Sequence, residues 1–168
     1  SKGKYLTFLD ADDMWDKNFL KKMFEFAEKN NYIFSCSSYN LYDAQKKIFR
    51  KPFIVPDQVS YNDLLKENSI SCLTAFINIE NIGKMYMKDI VNEDYHLWLQ
   101  ILKKVNYAYG LNEILATRTL IANSLSSKKL KIAIGRWHIY RKIESINLFY
   151  SFYLMLVYLK NAIKKFYF

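Results

Sequence analysis

Acidic side chains all but disappear from the last third of this sequence. Residues 101–168 hold two Asp or Glu against 12 Lys or Arg, whereas residues 1–100 hold 14 against 13, so the formal net charge of +9 belongs to the C-terminal part. Cysteine is scarce as well. Cys36 and Cys72 are too few and too far apart for a disulfide framework or a metal cluster, which points to a reducing compartment. The two histidines, His96 and His138, lack metal-ligand spacing. No apolar run reaches the roughly 20 residues of a spanning helix, and "SKGKYLTF" lacks the basic-then-apolar order of a secretory signal. Internal repeats and low-complexity linkers are absent too, leaving one globular domain as the default. The opening without Met, straight into a strand, fits a piece of a longer chain.

What is present is a core. The 168 residues are 51% hydrophobic, enough for a folded domain. "KYLTFL" (4–9) reads as a short buried strand, and "KNFLKKMFEFAEKNN" places Phe19, Leu20, Met23, Phe24 and Ala27 at helical spacing before an Asn-Asn stop. "YIFSCSSYNLY" (32–42) reads as a second strand. Pro52 and Pro56 then mark an irregular connection. "SYNDLLKEN" begins with an N-cap serine, "SCLTAFINI" suits a third strand, and "NEDYHLWLQILKKVNY" is a helix with Glu93 and Asp94 in its first turn. Two short strands are expected around Gly110, and helices from about Ser126 onward. Strands interleaved with helices give an α/β class with a helical C-terminal extension.

Chemistry concentrates in "LDADDMWD", where Asp10, Asp12, Asp13 and Asp16 follow directly on an apolar run. One or two aspartates at a strand-to-helix junction are explained by helix capping. Three in "DADD" repel one another, and a helix N-terminus of about half a positive charge offsets that only in part. Carboxylates at i and i+2 in a tight turn can face one hard cation, and Mg²⁺ or Mn²⁺ commonly uses one or two such ligands with phosphate oxygens and water. The ends of strands in open α/β sheets are also where ligands bind.

"GKYLTFLDADDMW" resembles the segment of family 2 glycosyltransferases (GT-A fold) that holds their D-x-D motif. "NEDYHLWLQILKK" resembles the family's E-D segment with its Leu-Trp helix, and "TRTLIANSLSSKK" resembles its Y-R…S-x-S stretch, with Thr117 in place of the usual Tyr. The resemblance runs to about residue 140 and begins in the middle of the family's domain, without the strand and helix that hold base and ribose. It implies the C-terminal part of a GT-A domain, Rossmann-like with a mostly parallel sheet, over residues 1–125, and a basic, aromatic helical extension over 126–168. It further implies sugar transfer, with inversion, from a nucleotide-sugar donor (a UDP-sugar) to an acceptor hydroxyl. Asp12 and Asp10 would hold Mn²⁺ or Mg²⁺ against the donor diphosphate, with Asp13 in support. Asp94 corresponds to the general base, Glu93 and Trp98 to the acceptor site, and Arg118 to a donor contact. Ser124, Ser126 and Ser127 fall where a loop covers the donor, although a serine-rich helix entry explains them equally.

"LFYSFYLMLVYL" (148–159), flanked by Lys160, Lys164 and Lys165, fits either a helix lying in an anionic membrane interface or one packed on the domain. Interface binding suits a glycan or lipid-linked acceptor handled at the cytoplasmic face of the plasma membrane, in surface-polysaccharide synthesis. No nucleic-acid motif accompanies the basic charge, so nucleic acid is not expected as a partner. The alternative is a noncatalytic interaction or membrane-surface module that keeps the second half of the fold.

Overall fold

A computed structural model describes residues 2–121 and 125–167. One mixed sheet with strand order β1-β6-β3-β7-β2 forms its centre, with β4 added to β3 and β5 to β7. These strands are β1 (Tyr5–Thr7), β2 (Met14–Trp15), β3 (Phe34–Asp43), β4 (Ile48–Phe53), β5 (Gln58–Ser60), β6 (Phe76–Asn78) and β7 (Tyr107–Leu120). The helices are α1 (Phe19–Asn30), α2 (Tyr61–Lys66), α3 (Ile79–Ile82), α4 (Glu93–Leu102), α5 (Leu125–His138) and α6 (Leu148–Tyr167). The α/β class with a helical C-terminal part is as the sequence implies. The parallel expectation holds for the longest pairing, β3 with β7 from Ser35↔Tyr109 to Asp43↔Leu120. Among the described residues the flanking pairings are antiparallel.

Local chemistry accounts for most boundaries. In α1, Phe19, Met23 and Ala27 recur at four-residue spacing and bury against Phe76 and Leu115, while Leu20 and Phe24 stay partly exposed. The helix stops at Asn31, which takes the left-handed conformation (φ 55°) that asparagine tolerates. Ser60 and Asp63 form a reciprocal capping box at α2.

Three expectations change. The Pro52–Pro56 region is irregular only in part, because Ile48–Phe53 pairs with β3 as a hairpin strand. Pro52 is tolerated there because β4 pairs on one side alone. Residues 107–120 are one long strand, not two short ones. Gly110 does not break it: a Cβ there would stand 2.1 Å from the Pro56 carbonyl oxygen, so glycine allows the Val55–Pro56 backbone to lie against the strand. The segment 71–79 likewise divides into a 3₁₀ turn (Cys72–Thr74) followed by β6.

The C-terminal helices share the main core. Ile139, Tyr140 and Leu154 pack in one cluster with Leu64, Leu65, Tyr95 and Trp98. Between α5 and α6 the chain makes a π-helical turn, Ile139–Ile143, in which the Glu144 N–H reaches back to the Ile139 carbonyl at 2.8 Å. That turn buries the Glu144 carboxylate, which accepts from Lys103 Nζ at 2.7 Å, from Gln100 Nε2 at 2.8 Å and from the Tyr61 hydroxyl. One carboxylate thereby ties the extension to α4 and α2.

Candidate active site

The acidic turn leaves the end of β1. Asp13 N–H donates to the Asp10 carbonyl at 3.1 Å, closing the turn, and Asp13 Oδ1 accepts from the Thr119 N–H of β7 at 2.8 Å. With Met14 paired to Thr117 in β2–β7, that bond fixes the turn beside Arg118. The three aspartates then differ in setting. Asp10 and Asp12 are exposed, with carboxylates free to meet a ligand, whereas Asp13 is half-buried and committed to the strand. Burial raises the Asp13 carboxyl above its usual range and Asp12 and Asp10 add to this, opposed by the Thr119 N–H and by Arg118.

Glu93 and Asp94 arrive from the opposite side on the first turn of α4. The residue before them, Asn92, takes the left-handed conformation (φ 64°) and offers no side-chain cap. Asp94 Oδ1 accepts from the Tyr95 N–H at 2.7 Å, so the capping explanation for this acid is met in part. Glu93 is exposed and Asp94 half-buried. Burial raises the Asp94 carboxyl and Glu93 adds to it, while the Tyr95 N–H, Arg118 and Arg136 pull it down.

The two acidic groups share one neighbourhood. Cys72, on the 3₁₀ turn between them, is pushed up to about 12, by burial first and then by Asp94, Asp10 and Glu93, with Arg118 opposing. Arg118 lies near the Tyr39 hydroxyl of β3, where its charge opposes the rise that burial gives that group. Charge thus links Asp10, Glu93, Asp94 and Arg118 to Cys72, and Arg118 also to Asp13 of the acidic turn. Arg118, near the end of β7, supplies a cation.

Trp98 stands apart from this group. Its ring is fully buried against Phe34 (centroids 5.3 Å) and Phe8 (5.9 Å), in the core beneath α4. An acceptor contact through that ring would require the core to open. His96 is buried as well, and burial lowers its pKa, so it packs as a neutral ring. Ser124 lies outside the described residues, and Ser126 and Ser127 enter α5, their side chains likewise undescribed. Sequence reasoning missed Cys72, Tyr39 and Arg136. No local pattern marks them, because each joins the site through pairing or packing with distant segments.

The donor set suits a hard divalent cation. Two exposed carboxylates on one turn are the one or two ligands that Mg²⁺ or Mn²⁺ takes from protein beside phosphate oxygens and water. The described residues hold no preformed group of three or more His, Cys, Asp or Glu ligands.

Comparison with known proteins matches residues 1–92 to the family described as Glycosyl transferase family 2. This chain belongs to that family. Over 166 residues it is 39% identical to TuaG of Bacillus subtilis, named as a teichuronic acid biosynthesis glycosyltransferase, covering 98% of this chain and 66% of TuaG. Over 164 residues it is 31% identical to WfgD of Escherichia coli, named as a UDP-Glc:alpha-D-GlcNAc-diphosphoundecaprenol beta-1,3-glucosyltransferase, covering 97% of this chain and 64% of WfgD. WfaP of Escherichia coli carries the same enzyme name and is 30% identical over 143 residues, 85% of this chain and 56% of WfaP. This family 2 chain thus spans less than two thirds of the length of the relatives it matches.

Proposed function

We propose that this chain carries the metal, diphosphate and acceptor half of an inverting glycosyltransferase. The enzyme would move a sugar from a UDP-sugar to a hydroxyl of a lipid-linked glycan in surface-polysaccharide synthesis. What supports the reading is that Arg118 acts electrostatically on both Asp13 of the acidic turn and Asp94 of α4, and that Asp10, Glu93 and Asp94 all act on Cys72. TuaG and WfgD supply the pathway class and the donor and acceptor classes through their names. About a third of such a relative has no counterpart in these 168 residues, and we assign the base and ribose contacts to that third.

Asp12 and Asp10 are the residues that would hold Mg²⁺ or Mn²⁺, which when bound offsets charge developing on the leaving diphosphate. Arg118, near Tyr39, would present a second positive charge to the diphosphate. Asp13 stays with Thr119 and holds the turn against β7. Asp94 takes the proton of the acceptor hydroxyl as its oxygen bonds the anomeric carbon and the bond to the diphosphate breaks on the other face, which inverts the centre. Glu93, exposed beside Asp94, binds the acceptor sugar.

The test is calorimetric titration of uridine diphosphate into the chain with and without Mn²⁺, repeated with Asp12→Asn. Binding that requires Mn²⁺ and is lost in the folded variant supports the reading. No binding by a folded chain overturns it for these residues and leaves a noncatalytic module.

A further inference from the structure

Arg136 is a buried cation without a carboxylate of its own. It lies on α5 at 3% exposure, and its Nε and Nη1 are buried with no hydrogen-bond partner among the described residues. Two aromatic faces enclose it: the guanidinium carbon is 4.0 Å from the Tyr95 ring centroid and 4.7 Å from that of Tyr158 on α6. Taking such a charge out of water is costly, and a packing role alone would be met more cheaply by leucine or methionine. Cation–π attraction recovers part of that cost. Asp94 precedes the Tyr95 whose ring carries the guanidinium and accepts from the Tyr95 N–H at 2.7 Å, and the guanidinium's charge opposes the rise that burial gives the Asp94 carboxyl.

The backbone around it is built for close approach. A Cβ on Gly135 would stand 2.7 Å from Val91 Cβ and 3.0 Å from Asn92 Nδ2, so glycine lets α5 lie directly on the loop that enters α4. Asn92 Nδ2 donates to the Ile132 carbonyl of α5 at 2.9 Å, tying the two together. The Tyr95 hydroxyl meets that of Tyr140 at 3.5 Å, and Tyr140 donates to the Leu65 carbonyl at 2.6 Å, so the ring under the guanidinium is itself held.

We propose that Arg136 is a positioning residue of the acid site, the fixed buried counter-charge that keeps Asp94 ionised when the proton of an acceptor hydroxyl must be taken. The inference rests on the reading of Asp94 as the base. The charged and titratable groups around Asp94 are Glu93 from its own helix, Arg118 from β7, Cys72 from the 3₁₀ turn and Arg136 from α5. Glu93 and burial both favour the protonated acid. Arg118 also serves the exposed donor side, where a bound diphosphate would draw on its charge. Arg136 is shielded from that competition by Tyr95 and Tyr158, so its charge remains with Asp94 throughout a catalytic cycle.

The test is a carbon-detected NMR titration of the Asp94 carboxyl, assigned through Asp94→Asn, in the full chain, in Arg136→Met and in Arg136→Lys. The expected result is a rise of about one unit in Arg136→Met, a value near the parent's in Arg136→Lys, and no movement of Asp43, which is paired with Arg50. An unchanged Asp94 titration in folded Arg136→Met, or an equal rise in Arg136→Lys, overturns the inference. If Arg136→Met fails to fold, Tyr158→Leu, which removes one wall of the guanidinium site, is read by the same criterion. The readout needs no turnover. A shifted Asp94 in a chain that neither binds uridine diphosphate nor transfers sugar would uphold the charge pairing while sinking the proposed function.

Discussion

Replacing Glu144 by alanine tests whether one carboxylate fastens the C-terminal helices to the rest of the fold. Its side chain is 1% exposed and accepts from three donors, Lys103 Nζ, Gln100 Nε2 and the Tyr61 hydroxyl. The Lys103 side chain is 44% exposed, so its ammonium returns to water and little is lost on its account. Tyr61 and Gln100 are half-buried, and each donor left unsatisfied costs about 1–3 kcal/mol. Allowing for partial re-solvation, the change should destabilise the fold by about 3 kcal/mol, the lower end of what is found when a buried pair is broken. For a chain of this size that lowers the melting temperature by about 6–12 °C. Glu144→Gln, which keeps one acceptor oxygen, should lose about half as much. Equilibrium urea unfolding followed by far-UV circular dichroism measures both. A loss below about 1 kcal/mol for Glu144→Ala would refute the argument, since it would mean the three donors find water at no cost and the carboxylate does not anchor the extension.

Asp94 should work against stability. Its folded carboxyl titrates above its unfolded value, so the folded state binds more protons between the two, and stability falls as pH rises through the folded value. Asp94→Asn should therefore raise the urea midpoint at neutral pH, with the gain vanishing by about pH 4, while transfer activity of the complete enzyme falls about 10²–10⁴-fold; a lower midpoint at pH 7 contradicts the assignment. Cys72, pushed up to about 12, should react with a thiol reagent at pH 8 far more slowly than unfolded chain does, and fast modification would show that the acid site is not packed around it. The stripe of Phe149, Phe152, Tyr153, Leu156 and Leu159 on α6 is exposed, beside Lys160. No described helix is long and apolar enough to cross a membrane. Flotation with vesicles should recover the chain on phosphatidylglycerol but not on phosphatidylcholine, and Phe149→Ser with Leu156→Ser should abolish it; no flotation would mean that protein, not lipid, covers that face.

The sequence made some of this architecture readable and hid the rest for physical reasons. Phe19, Met23 and Ala27 announced α1 because a helix pressed on a sheet shows its period in the residues it buries. Ser60 announced α2 because a capping box is local chemistry. The acidic turn was conspicuous because like charges that close require an explanation. β4 was not legible: Pro52 reads as a breaker, and only its place on a strand paired along one side makes it harmless. Gly110 misled for the opposite reason, since the need for glycine came from Pro56, 54 residues away in sequence, and not from its own strand. In sequence, nothing sets Arg136 apart from the other 11 Lys or Arg of residues 101–168. Its burial is created by Tyr95 and Tyr158, which come from other helices. Asp10, Asp12, Asp94 and Arg118 could be named from their motifs, but nothing along the chain showed that Cys72 would lie among them.

The parallel pairing of β3 with β7 also sets an order of events during synthesis. Residues 34–43 pair with 48–53 and 76–77 as well, but their parallel partners lie in 109–120, so β3 emerges from the ribosome well before the longest strand it pairs with. At translation rates of about 5–20 residues per second, that interval is on the order of 4–15 s. The bond from Thr119 to Asp13 comes later than almost every other contact of the acidic turn. A nascent chain would therefore hold its aspartates unlocked until the sheet closes, and it would acquire a ligand-competent site in one late step. Contacts so distant in sequence also make for slow folding.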